Sequence, residues 1–163
     1  VDLALGMEGR TPAWARFDKI FEDEMVFIVA PSHPWASMKE VPAESVEKES
    51  FLVYARASET YRMLKESFEA NGSRLRPSLS LGDMGAIKEM AKVGMGVGIV
   101  APWTVIDEVE NGELVAIPLG HVNQRRSWGM FCHESRHLSM VEEDFLRICR
   151  KISKTLKGVE NVS

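Results

Sequence analysis

The sequence predicts an α/β fold, and three observations carry that prediction. Strand-like runs alternate with amphipathic helical stretches along the chain, the runs VFIVA and FLVY have no polar face, and IKEMAKVGMGVGIVAPW (87–103) reads as helix, glycine stop and buried strand. Runs without a polar face suit a sheet covered by helices on both sides. In the third stretch Met84, Ile87, Met90, Ala91 and Val93 recur at helical spacing, Asp83 supplies an N-cap oxygen, and Gly94 supplies the left-handed residue that ends the helix. A dinucleotide fingerprint needs its glycines after a strand and before a helix. Gly94, Gly96 and Gly98 stand in the opposite order, so they read as a helix stop and as close packing of helix on sheet.

The other elements follow in order. Strands are expected at 1–5, 25–30, 51–54, 78–81, 97–101, 114–118 and 128–132. A helix starts near Ser58, presents Tyr61, Leu64 and Phe68, and stops at Gly72. A short one follows Pro102 and ends at Asn111-Gly112. The last helix opens on the capping box formed by Ser139 and Glu142, and Val141, Phe145, Ile148, Cys149, Ile152 and Leu156 are expected to be its buried face. Glu142, Glu143 and Asp144 open that helix while Arg150, Lys151, Lys154 and Lys157 close it, as the macrodipole favours.

With 163 residues the chain is long enough to bury about 70% of its unfolded surface. Apolar residues are 45% and charged residues 27%, which argues against disorder, and no apolar run approaches the roughly 20 residues of a spanning helix. VDLALG at the start reads as a strand, with no basic region of a signal sequence before it, so the chain is expected to be trimmed there. The net charge of −4 excludes the basic field that grips nucleic acid, so DNA contact is not expected of this chain by itself. Cys132 and Cys149 read as two buried thiols, which favours a reducing, cytoplasmic compartment. Prolines 31, 34 and 42 mark residues 30–44 as an extended crossing between two lobes, and 120–128 is a second crossing. Lobe I then comprises 1–31 and 126–163, lobe II 32–125, with a cleft between them.

The ordered set VDLALG, VFIVAPSHPWA, ESFLVYARASETYRMLKESFEANG, AIKEMAKVGMGVGIVAP, ENGELVAIPL and SRHLSMVEEDFLRICRKI resembles the effector-binding domain of LysR-type transcriptional regulators. The resemblance covers nearly the whole chain. It implies a type 2 periplasmic-binding-protein-like fold of two α/β subdomains with a cleft and two crossovers, the first subdomain incomplete. Two parts that precede VDLALG in the family, the DNA-binding helix-turn-helix with its linker helix and the opening strand-helix-strand, are expected to lie outside this chain. It further implies a small-molecule effector, head-to-tail homodimers or tetramers, and DNA contact only through the N-terminal domain. No cofactor, metal or membrane contact is expected, and no chemistry on the ligand.

Ligands of such folds sit beyond the carboxyl ends of the strands, where helix N-termini offer free N–H groups. That rule selects Gly6, Met7 and Glu8 after the first strand, Arg56, Ser58 and Thr60 after FLVY, Gly82, Asp83 and Met84 after SLSL, and Pro102 and Trp103 after VGIVA. The resemblance maps ligand-binding hydroxyls onto Ser58 and Thr60. Ser58 and Asp83 also suit plain capping, and Trp103 suits core packing as well as ligand stacking. If Glu8 and Asp83 both face the ligand, a zwitterion or cation is favoured over an anion.

Rival chemistries are weaker. His133 to His137 spell H-E-x-x-H, but between a strand and a separately capped helix they form a connection, whereas zinc chemistry needs both histidines one turn apart on a helix. Cys132 and His133 point to opposite faces of a strand and form no nucleophile-base pair. His33 and His121 read as exposed residues of the crossings, and Arg125-Arg126 as a solvated pair. The alternative function is a transporter's solute-binding component of the same fold.

Overall fold

A computed structural model describes residues 3–9, 11–122, 125–156 and 159–161. Among them lie strands β1 (Ala4–Met7), β2 (Ala15–Glu24), β3 (Val26–Val29), β4 (Phe51–Tyr54), β5 (Pro77–Leu81), β6 (Val97–Val100), β7 (Val115–Pro118), β8 (Arg125–His133) and β9 (Val159–Asn161). The α-helices are α1 (Ala43–Val46), α2 (Glu59–Ala70), α3 (Met84–Lys92), α4 (Ile106–Glu110) and α5 (Met140–Ser153). The chain divides into two compact units, Val1–Glu24 with Arg125–Ser163, and Met25–Gln124.

The second unit is a five-stranded sheet of order β5-β4-β6-β3-β7, in which β5, β4 and β6 run parallel and β3 pairs antiparallel with β6 and β7. Strands β3, β4 and β6 are buried along most of their length on both faces, as their lack of a polar side requires. One face joins Phe27, Val29, Trp35, Phe51 and Val53 to Leu64 and Phe68 of α2, with the Phe51 ring 5.7 Å from both Phe27 and Phe68. The other joins Ile28, Leu52 and Val100 to Ile87 and Ala91 of α3. Gly98 sits where α3 comes closest to the sheet. A Cβ there would lie 2.6 Å from Ile28 Cγ1 and 3.0 Å from Ile87 Cγ2, so the close-packing role expected of this glycine is its observed one. Gly94, at φ +75°, ends the turn after α3.

The first unit is an antiparallel sheet of order β1-β8-β2-β9 with α5 laid across it. Its core is small: Ile20, Met130 and Leu146, with Leu3, Phe21, Leu138 and Cys149 around them. A β-bulge at Ile20 lets both Ile20 and Phe21 turn to this face. Beside them Arg126 donates to Asp23 through two nitrogens, Nε at 2.7 Å, both residues being buried, and the guanidinium lies 5.4 Å over the Trp128 ring.

Several expectations are corrected by these facts. Residues 25–31 were assigned to lobe I, yet β3 is hydrogen-bonded between β6 and β7, so they belong to the second unit and the chain passes between units at Glu24–Met25. The proline segment 30–44 therefore connects two strands of one sheet. His33 is no exposed filler: its Nδ1 accepts from Trp35 N–H at 3.2 Å and caps the 3-10 turn Pro34–Ser37. Arg126 is not solvated, because the β2/β8 register sets it opposite Asp23. Strands β2 and β9 are additional to those expected, and the first strand is displaced to Ala4–Met7. On α5 the buried positions are Leu146 and Ser153; Val141, Phe145, Ile148 and Ile152 face solvent, since Leu146 and Cys149 are the apolar pair directed at Ile20 and Met130. Lys157 lies outside the described residues, as do the first two residues of the strand expected at 1–5.

Candidate functional site

In the second unit the pairing of β4 with β5 and β6 brings three carboxyl ends to one edge: Tyr54, Leu81 and Val100. Antiparallel Val26 pairs there with Val100 and with Pro118, so the chain enters this unit and β7 ends at the same edge. Two helices begin beside it. Ser58 Oγ accepts from Tyr61 N–H at 3.1 Å to cap α2, and Asp83 Oδ1 accepts from Ala86 N–H at 2.9 Å to cap α3. Each cap satisfies one of the N–H groups that a first helical turn leaves unpaired.

Eight sequence-selected residues share this edge: Arg56, Ser58, Thr60, Gly82, Asp83, Met84, Pro102 and Trp103. Gly82 and Asp83 are exposed, with open space where a Gly82 side chain would stand. Met84 is not in the loop but is the first residue of α3, half-buried against the core, because Asp83 caps there. Pro102 and Trp103 form the 3-10 turn Pro102–Thr104, and Trp103 packs against the core. That turn is pinned from α3: Lys88 Nζ donates to Thr104 O at 3.1 Å and pairs with Glu108 at 2.7 Å, a hydrogen bond that holds the Glu108 carboxyl below the usual range. Ser80, which the sequence reading did not select, belongs to the edge too. Its Oγ accepts from Arg56 N–H at 3.2 Å and so fixes the turn that presents Arg56. The SLSL alternation carried that signal, since it sets Ser78 and Ser80 on one face of β5.

Gly6, Met7 and Glu8 belong to the first unit. Gly6 and Met7 lie inside β1, paired with Gly129 and Trp128, and Glu8 N–H donates to Ser127 O at 2.8 Å. Gly6 and Met7 are strand residues, not the loop expected after a strand, because β8 extends the pairing past Leu5, while Glu8 follows the strand as expected. His133 ends β8, and its Nδ1 lies 2.9 Å from Ser135 Oγ within a turn, so H-E-x-x-H is not helical. Among the described residues no three His, Cys, Asp or Glu side chains cluster to hold a metal, and no helix is long and apolar enough to cross a membrane. Cys132 is buried and Cys149 half-buried, both as free thiols, with burial pushing Cys149 up.

Parallel strand ends and two capped helix starts give the second unit the kind of edge at which α/β folds bind ligands. The LysR substrate binding domain model matches residues 1–153, and the chain belongs to that family. It is 23% identical over 122 residues to the RuBisCO operon transcriptional regulator of Allochromatium vinosum, covering 75% of this chain and 40% of that protein. The regulatory domain of MetR, a LysR family regulator from N. meningitidis, superposes with a TM-score of 0.83 at 21% identity over 99% of this chain and 75% of its own. The Synechocystis CcmR regulatory domain, solved in complex with 2-PG, gives 0.79 at 23% identity over 94% and 74%. These likenesses show the type 2 periplasmic-binding-protein-like fold. The chain spans about two fifths of the length of the first of these regulators.

Proposed function

We propose that this chain is the effector-sensing part of a cytoplasmic LysR-type transcriptional regulator, which self-associates and meets DNA through a separate domain. A small polar molecule binds at the carboxyl edge of β5, β4 and β6. Ser58, Thr60 and Ser80 offer hydroxyls there, Arg56 a cation and Asp83 a carboxylate, a set suited to a ligand carrying both charges. Gly6, Met7 and Glu8 are candidate contacts within the first unit. No bond of the ligand is made or broken. The output needs only differential affinity for two arrangements of the protein, on the order of 1 to 3 kcal/mol of coupling.

The observation that carries this reading is that the carboxyl ends of β5, β4 and β6 and the capped starts of α2 and α3 share one edge, beside which the chain enters the second unit at Met25. The family membership places the solute-transport alternative second.

The test is thermal stabilisation of the chain by a panel of amino acids, hydroxy acids and phosphorylated acids, 2-PG included. A ligand at a hundred times its Kd adds about 2.7 kcal/mol, a shift of several degrees at this size. Gly82→Trp has room for its side chain and no unusual φ to lose, so it is expected to keep the ligand-free Tm and lose the shift. Full retention of the shift in that variant, or no shift from any compound, contradicts the reading.

A further inference from the structure

The last two turns of α5 carry positive charge along one flank. Arg147, Arg150, Lys151 and Lys154 follow one another at spacings that set them on one side of the helix, and all are exposed. The side laid on the sheet is a different one, where Leu146 and Ser153 are buried. With Leu138, Glu143 and the edge of Leu146, the four cations line an open groove of about 570 Å³.

The other long helices answer their positive charge within the fold. Arg62 meets Glu59 and Glu66, Lys65 meets Glu69, Lys88 meets Glu108, and Lys92 meets Glu89 and Glu113, so each Lys and Arg of α2 and α3 has a carboxylate. The flank of α5 does not. Arg147 lies 2.8 Å from Asp144, but at 72% and 63% exposure that pair is weak. Arg150 donates to the Lys19 carbonyl at 3.4 Å, and among the described residues no carboxylate stands within ion-pair distance of Arg150, Lys151 or Lys154. The helix dipole favours cations in the last turn, yet it does not call for their alignment with Arg147. Aligned, they are like charges three and four residues apart, which destabilise a helix. In a chain of net charge −4 this is a local excess that the fold leaves unanswered.

The groove's chemistry selects what answers it. From Arg147 to Lys154 the cations extend over about 10 Å of helix, more than one phosphate or carboxylate group spans. Leu138 and Leu146 add apolar surface, for which a nucleic-acid backbone has no use, and Glu143 and Asp144 at the near end repel a uniformly anionic polymer or surface. An amphipathic acidic segment suits all three features. We propose that this flank of α5 docks an acidic, amphipathic helix of another protein, its carboxylates on the cations and an apolar side chain against Leu138 and Leu146. This goes beyond effector sensing, belongs to the first unit alone and is read without effector, so its failure leaves that reading untouched.

The probe is a fluorescein-labelled peptide of repeated Glu-Leu-Ala-Glu units, whose glutamates recur at the spacing of the four cations, and the readout is its anisotropy with the whole chain. Saturable binding with a Kd on the order of tens of micromolar is expected, weakened about tenfold by a tenfold rise in salt and absent for the same peptide with Gln in place of Glu. Arg150→Gln with Lys151→Gln is expected to weaken binding about tenfold at an unchanged Tm, because the lost dipole contact and the relieved repulsion offset each other. Lys154→Gln, at the end of the helix, is expected to weaken it several-fold, while Lys65→Gln on α2 binds as the wild type does. No saturable binding at up to about millimolar chain, equal affinity for the glutamine peptide, or binding unchanged in both α5 variants overturns the proposal. So does retention of the chain on phosphatidylglycerol vesicles or on a DNA duplex, lost in the same variants, where the peptide does not bind; that outcome assigns the flank to a lipid or a nucleic acid.

Discussion

Asp23 and Arg126 show how far a residue's meaning depends on its register. Read along the chain, FEDE is a charged stretch and Arg125-Arg126 a basic pair; read across β2 and β8, Asp23 faces Arg126 in a buried two-point contact. Removing one member leaves a buried charge without its counter-ion. Arg126→Met is therefore expected to cost roughly 3 to 5 kcal/mol, whereas Asp23→Leu with Arg126→Met recovers most of that, both measured by urea denaturation. Gly98 makes a complementary case, since its role was legible in the sequence. A methyl group 2.6 Å from Ile28 Cγ1 must displace the sheet or α3, so Gly98→Ala is expected to destabilise by about 1 to 3 kcal/mol on the same assay. Phe145 is the reverse. The helical stripe made it a core residue, yet at 41% exposed its truncation in dilute protein is expected to cost less than about 1 kcal/mol.

At the scale of elements, helix starts were the most legible features, because a cap is a local bargain between one side chain and the next turn. Ser58, Asp83 and Ser139 all cap where the sequence set them. Strand β2 was hidden because ARFDKIFEDE mixes charges into both faces and shifts register at Ile20, which erases a clean alternation. The face of α5 was misread because both of its sides are apolar, and only the sheet beneath it decides which is buried. The three strand ends of the candidate site came through, while Gly6 and Met7 moved into β1 because pairing with β8, a partner distant in sequence, sets where that strand ends. The α5 cap also fixes a pH response. Glu142 is held below its ordinary value of 4.5 first by the Ser139 backbone N–H, Glu108 by Lys88, and Glu22 by Lys19. A depressed folded-state value means that the unfolded chain takes up protons first. Stability from these groups is thus complete above pH 4.5, and it is lost as the pH falls through their lowered values. Urea midpoints are expected to fall on acidification below that range and to fall less in Glu142→Gln. An equal fall in that variant removes Glu142 from the account.

At the scale of the whole molecule, the two units are built differently by the chain. The second is one uninterrupted stretch, Met25–Gln124, while the first is assembled from both ends. The second unit also holds its own closed set of interactions. Its five strands pair only with one another, α2 and α3 cover its two faces, and its clusters draw on no residue of the first unit among those described. Among the described residues the first unit's core cluster joins three buried members, one of which, Ile20, comes from the N-terminal stretch while Met130 and Leu146 come from the C-terminal one. A chain of residues 25–124 is therefore expected to fold alone with a single cooperative urea transition, since burial on both faces of the sheet survives the excision. Residues 1–24 or 125–163 by themselves have no such core and are expected to stay unfolded. Circular dichroism and one-dimensional NMR distinguish the outcomes, dispersed methyl signals for 25–124 being the expected one. A non-cooperative, poorly dispersed fragment would mean that the sheet of the second unit depends on the first for its stability. The excised unit keeps Ser58, Ser80, Gly82 and Asp83 at one edge but lacks Gly6, Met7 and Glu8. Ligand binding to it then tests whether that edge by itself holds the effector.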